Sequence, residues 1–161
     1  MENIIHQTWK NTNIMFEHGW CVDSVKRFFH NYQYLLWTDE DNDNFIKTNF
    51  PEFYNFYLTL LSVEKSDFSR YLYLYKFGGI YCDIDVYFLK SLYPILQNLK
   101  NGMLCNQHQE NSVFKSKFIL DPFFMVAKQG NKFFYNLCES IMKGGIYKLL
   151  SGEAQITETL N

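Results

Sequence analysis

Ser66-Asp67-Phe68-Ser69-Arg70-Tyr71-Leu72-Tyr73-Leu74-Tyr75-Lys76-Phe77-Gly78-Gly79-Ile80-Tyr81-Cys82-Asp83-Ile84-Asp85 is the stretch on which the reading of this chain turns. The spacing predicts a helix over Glu64 to Phe77, with Asp67, Arg70, Tyr71 and Leu74 at i, i+3, i+4 and i+7 on one face. Gly78-Gly79 ends it, because glycine tolerates the left-handed backbone that a helix C-cap requires. A strand is expected over Ile80 to Phe88, and on it Asp83 and Asp85 point to the same side with backbones about 6.6 Å apart. Their repulsion, roughly 2–3 kcal/mol at an effective dielectric of about 20, is removed by a bound divalent cation. Hard carboxylate oxygens suit Mg2+ or Mn2+, ions that keep waters and bridge to substrate phosphates. Taken alone, Asp67 with Arg70 also reads as an ordinary surface i,i+3 ion pair, and an Asp-x-Asp pair as a solvated turn.

Working outward, strand-like and helix-like segments alternate, which predicts an α/β layered domain. A first strand is expected over Asn3 to Trp9, a helix over Cys21 to Phe29, and a second strand over Tyr34 to Trp37. Thr38 and Asp41 then form a capping box at the start of a helical region. Further on, strands are expected at Met103 to Asn106 and Phe123 to Ala127, a helix at Asn131 to Met142, and a helix start from Ser151.

The chain has 161 residues, of which 47% are hydrophobic, so one core suffices and a single domain over 1–161 is the expectation. With 15 basic against 17 acidic residues there is no positive excess to neutralise a run of phosphates, which excludes charge-driven nucleic-acid binding. Any phosphate must therefore be met locally, through a cation. Cys21, Cys82, Cys105 and Cys138 lack zinc or disulfide spacing and read as reduced core thiols. No secretory signal and no transmembrane segment is visible, so a cytoplasmic location is the expectation.

The segment from Ser66 to Asp85 resembles the signature of the DXD-containing sugar transferases, a family that includes the fungal initiating α-1,6-mannosyltransferases and, more distantly, the glucosylating clostridial toxins. Ile4-Ile5-His6-Gln7-Thr8-Trp9-Lys10 is similar to that family's first strand, and Ser151-Gly152-Glu153-Ala154-Gln155-Ile156-Thr157 to its late motif, with Glu153 where proline is usual. The resemblance implies a GT-A type nucleotide-diphospho-sugar transferase fold, a Rossmann-like mixed sheet flanked by helices in compact or truncated form, and retaining transfer of a hexose to a glycan or other hydroxyl acceptor. By the same resemblance, Trp9 packs on the nucleotide base, Asp67 and Arg70 hold donor sugar hydroxyls, Tyr81 lines the pocket, Asp83 contacts ribose and sugar, and Asp85 and Asp83 bind Mn2+ or Mg2+. Asp83 and Asp85 are thus the catalytic candidates and Asp121 an acceptor-side candidate, with a turn aspartate before Pro122 as its plainer reading. Trp9 reads equally as a core aromatic, and His6 as a structural histidine with its hydrogen bonds satisfied.

The rival motifs fit less well. A haloacid-dehalogenase-type Asp-x-Asp continues into a Thr/Val pattern that Asp83-Ile84-Asp85-Val86-Tyr87 departs from. In Asp39-Glu40-Asp41-Asn42-Asp43-Asn44 an EF-hand loop would need glycine at Asn44 and glutamate at Phe50. The non-enzyme alternative is a degenerate domain that binds nucleotide-sugar or glycan without turnover. Separately, His108 is one residue that could complete a metal site in place of the family's late ligand.

Overall fold

The structure is a computed structural model that describes residues 2–14, 16–99, 102–107 and 119–144. Strand β1 (Ile4–Thr8) leads through helix α1 (Phe16–Phe28) to β2 (Gln33–Trp37). Helices α2 (Asp39–Asn49), α3 (Pro51–Tyr57) and α4 (Ser62–Phe77) follow before β3 (Gly79–Cys82). The short α5 (Tyr93–Leu96), the antiparallel strands β4 (Gly102–Gln107) and β5 (Ile119–Ala127), and α6 (Lys132–Gly144) complete the order. Among the described residues no helix is long and apolar enough to cross a membrane.

The five strands form one mixed sheet in the order β2-β1-β3-β5-β4, with β1 parallel to both β2 and β3 and β5 antiparallel to β3. Side-chain alternation divides the core between its two faces. Tyr81, Met125 and Ala127 pack under α2, α3, α4 and α6, whereas Ile80, Cys82, Phe124 and Val126 pack with Val25 of α1 and with Phe29 just after it. Helices on both faces leave the central strands dry, as a parallel sheet requires.

Local chemistry sets the element boundaries. Thr38 caps α2 through its hydroxyl, which accepts from the Asp41 amide at 3.1 Å, while the Thr38 amide donates back to the Asp41 carboxylate at 2.9 Å. Helix α4 ends at Gly78 (φ 67°), and Gly79 follows at φ 90°. A Cβ on Gly79 would press into the Ile4 carbonyl, so glycine is demanded twice: by its backbone angle and by the close approach of β1.

The expected strand over Ile80 to Phe88 is shorter than the spacing suggests. Strand β3 stops at Cys82, and the chain turns, with the Val86 amide donating to the Asp83 carbonyl at 3.2 Å. β1 also runs out at Thr8, and the Phe88 amide is taken by the Ser24 hydroxyl of α1 at 2.9 Å, so the segment after Asp83 loses its partner on the β1 side. The helix start expected from Ser151 lies outside the described residues.

Candidate functional site

From β1 the chain crosses through α1 to β2 on one side, and from β2 it passes through α2 to α4 to reach β3 on the other side of β1. The connections therefore diverge at the carboxyl ends of β1 and β3, the point in open α/β sheets where a crevice forms. A cleft of about 360 Å³ lies there. Its walls are Thr8 at the end of β1, Trp9 and Lys10 just after it, Asp39 opening α2, and Ser66, Asp67 and Arg70 on α4. Tyr81, Asp83 and Asp85 complete it.

At its floor Arg70, with a side chain only 9% exposed, is gripped by two carboxylates. One guanidinium nitrogen reaches Asp67 Oδ1 at 2.5 Å and the other Asp83 Oδ1 at 3.2 Å. Its Cζ lies 4.7 Å from the centroid of the Tyr81 ring, and the Tyr81 hydroxyl donates to the same Asp83 oxygen at 2.7 Å. Burial opposes the arginine charge, but Tyr81, Asp83 and Asp67 outweigh it and hold its pKa above the ordinary value. For Asp67 and Asp83 burial is the larger influence, so both carboxyls sit above the usual carboxylate range although Arg70 pulls them down. Burial also lifts the Tyr81 phenol well up, which keeps it a proton donor to Asp83. The pairing of Asp67 with Arg70 is thus more than a surface ion pair: it is half of a three-residue knot around a buried arginine, joining α4 to the turn after β3.

Because Asp83 and Asp85 stand on a turn, the same-side strand geometry expected of them does not hold. Arg70, on α4, relieves the charge of Asp83. Asp85 is exposed at the cleft, and no ion pair to it occurs among the described residues. The turn is fixed by contacts that sequence reasoning missed. Gln7, fully buried, donates to the Asp83 carbonyl at 3.0 Å and accepts from the Tyr34 hydroxyl at 3.0 Å, and the Cys21 thiol donates to the Asp85 carbonyl at 3.3 Å. A run of three polar residues, His6-Gln7-Thr8, in an otherwise apolar first strand was the available signal. Cys21 is half-buried at this turn, unlike the fully buried Cys82 and Cys138, and the side chain of Cys105 lies outside the described residues.

Trp9 lines the cleft, edge-on to His18 at 4.9 Å between ring centroids. Its indole nitrogen and Arg70 Nε are buried donors without a protein partner among the described residues. Unmet donors of this kind cost about 1–3 kcal/mol each, which a ligand oxygen relieves. His6 is structural: Trp37 Nε1 donates to its Nδ1 at 3.1 Å, which leaves the proton on Nε2 to donate to the Gly78 carbonyl at 3.0 Å. Burial lowers its pKa to about 4. The backbone of β5 carries Asp121 to the cleft end of the sheet, since the Asp83 amide donates to the Phe123 carbonyl at 2.8 Å. The Asp121 side chain, His108 and the Ser151–Thr157 segment lie outside the described residues.

Among the described residues no three His, Cys, Asp or Glu side chains gather into a metal cage. Asp83 and Asp85 both line the cleft and offer hard carboxylate oxygens, the donor chemistry that suits a divalent cation which keeps part of its water shell.

The family model described as the glycosyltransferase sugar-binding region containing DXD motif matches residues 17–102, more than half of the chain, and the chain belongs to that family. The match takes in Asp67, Arg70, Tyr81, Asp83 and Asp85 and leaves out Trp9. The chain is 42% identical over 94 residues to inositol phosphoceramide mannosyltransferase 3 of Schizosaccharomyces pombe, covering 58% of this chain and 26% of that protein. It is 37% identical over 101 residues to a mannosyl phosphorylinositol ceramide synthase of Saccharomyces cerevisiae, covering 58% and 25%. An uncharacterized glycosyltransferase of Acanthamoeba polyphaga mimivirus is 33% identical over 94 residues, covering 56% and 38%. The matched segment thus spans about a quarter of the fungal relatives' length. The solved structure of the PaToxG glycosyltransferase superposes with a TM-score of 0.70 at 16% identity, covering 99% of this chain and 68% of that one. The mixed sheet with flanking helices is therefore a compact GT-A-like nucleotide-sugar transferase fold.

Proposed function

We propose that this chain is the catalytic domain of a glycosyltransferase that moves a hexose from a UDP- or GDP-linked nucleotide-diphospho-sugar to a glycan or other hydroxyl acceptor, with retention and with Mn2+ or Mg2+. The observation that carries this reading is Arg70 clamped between Asp67 and Asp83 beside the open carboxylate of Asp85. In it, Trp9 carries the base, the Asp67 carboxylate accepts from sugar hydroxyls, and Arg70, already rigid, donates to the sugar. Tyr81 keeps Asp83 aimed, and Asp85 with Asp83 holds the cation. When bound, the cation stabilises negative charge developing on the departing diphosphate. Asp121 remains the acceptor-side candidate. The names of the fungal relatives favour mannose as the hexose and inositol phosphoceramide as an acceptor.

Calorimetric titration of nucleoside diphosphate with and without Mn2+ tests this. Binding is expected to need the metal and to weaken at least about tenfold in Asp85→Asn, the loss of one charged ligand. Equal affinity with and without metal refutes it. That no third metal-ligating side chain joins Asp83 and Asp85 among the described residues favours, as a second reading, binding without turnover; tight metal-dependent binding with no transferred or hydrolysed sugar would select it.

A further inference from the structure

One carboxylate of the cleft is left unused by the roles above. Asp39 is exposed at the first position of α2 and lines the cleft with Trp9. The two are tied to neighbouring strands at the same end of the sheet: the Trp9 amide donates to the carbonyl of Trp37, the last residue of β2, at 3.0 Å. The capping of α2 is done by Thr38 with Asp41, so Asp39 has no part in it. Its side chain is nonetheless oriented, because the Ser62 hydroxyl at the start of α4 donates to Asp39 Oδ2 at 3.2 Å. Ser62 lines the same cleft.

A carboxylate only accepts hydrogen bonds, and its two oxygens form a fork. Among nucleobases guanine alone offers two adjacent donors, N1–H and the 2-amino group, that match such a fork. Uracil offers a single N3–H between two carbonyl oxygens, which a carboxylate repels. Adenine and cytosine set a ring-nitrogen lone pair beside their amino group, so one carboxylate oxygen meets a like-charged partner. We infer that Asp39 is the specificity-determining residue of the donor site and reads guanine, making the donor a GDP-linked sugar. This rests on the reading of the cleft as a nucleotide-sugar site with the base at Trp9.

The test compares GDP, UDP and inosine diphosphate by calorimetry in Mn2+ on the wild-type chain and on Asp39→Asn. GDP is expected to bind at least about tenfold tighter than UDP, the discrimination one bidentate base contact provides. Inosine diphosphate, which lacks the 2-amino group, should fall between them, and this measurement needs no variant. In Asp39→Asn the preference for GDP should shrink to within about threefold, because an amide presents one acceptor and one donor. UDP binding as tightly as GDP, inosine diphosphate matching GDP, or an unchanged preference in Asp39→Asn each overturns the assignment of Asp39 while leaving the nucleotide-sugar site standing. Failure of all three nucleotides to bind, with or without metal, overturns both.

Discussion

Lowering the pH should weaken this fold through His6, and the size of the effect follows from its surroundings. The ring is fully buried, stacked 5.6 Å from Tyr73, with one nitrogen receiving the Trp37 indole proton and the other donating to Gly78. Burial penalises the imidazolium charge more than the hydrogen bond to the Gly78 carbonyl favours it, so the pKa drops from 6.5 to about 4. The unfolded chain therefore binds a proton in that interval that the folded chain refuses. The contribution is complete above pH 6.5 and is lost as pH falls toward 4, reaching roughly 3 kcal/mol, a large part of a typical domain's 5–15. Asp67 and Asp83, with raised pKa values, act in the opposite sense, gaining stability as pH falls, so the wild-type slope alone mixes the effects. Urea unfolding of wild type and His6→Gln between pH 7.5 and 4.5 separates them, since the difference between the two curves isolates the imidazole. The wild type should lose stability faster by up to one proton's worth, about 1.4 kcal/mol per pH unit. An imidazole NMR titration checks the same point without a variant. Parallel stability curves, or a His6 midpoint near 6.5, would refute the reasoning.

Three further outcomes are expected. Gly79→Ala should destabilise the fold by about 2 kcal/mol or more in urea unfolding, through its backbone angle and the Ile4 carbonyl together, whereas Gly130→Ala, with φ 78° and open space around it, should cost only about 1. Equal losses at the two glycines would show that the close approach to β1 carries no weight. Asp67→Asn and Arg70→Lys should reduce sugar transfer at least about tenfold while changing nucleoside diphosphate affinity less than about threefold, because they act on the sugar and Arg70 loses its planar fork. Equal losses in both assays would remove them from the sugar subsite. Tyr81→Phe takes away the hydroxyl that donates to Asp83 and should raise that carboxyl's pKa further, so metal-dependent binding should be lost at a higher pH than in wild type as the medium is acidified. An unchanged pH profile would contradict this.

Much of the frame was legible because it depends on neighbours in the chain. The capping box of Thr38 and Asp41, the break at Gly78-Gly79 and the shared face of Asp67 and Arg70 each follow from spacing over a few residues. The resemblance carried by Ser66 to Asp85 led to the family whose model matches residues 17–102. Strand length was read less well. Alternation continues through Asp83 and Asp85, but β1 ends at Thr8 and withdraws the hydrogen bonds on that side, and the chain turns after Asp83.

Sequence alone determined which chemistry the chain brings: two acidic side chains after a glycine break, an arginine and an aspartate one helical turn apart, and an indole closing the first strand. Tertiary structure decided how those charges are shared. Only the packing of α4 against β3 turns Arg70 onto Asp83 as well as Asp67, so that of the Asp83–Asp85 pair Asp85 is the one left without an ion pair among the described residues. Only the parallel pairing of β1 with β2 brings Asp39 to the side of Trp9. Hydrogen bonds along one segment are encoded in its spacing, whereas neutralisation of charge between segments depends on which strands and helices become neighbours.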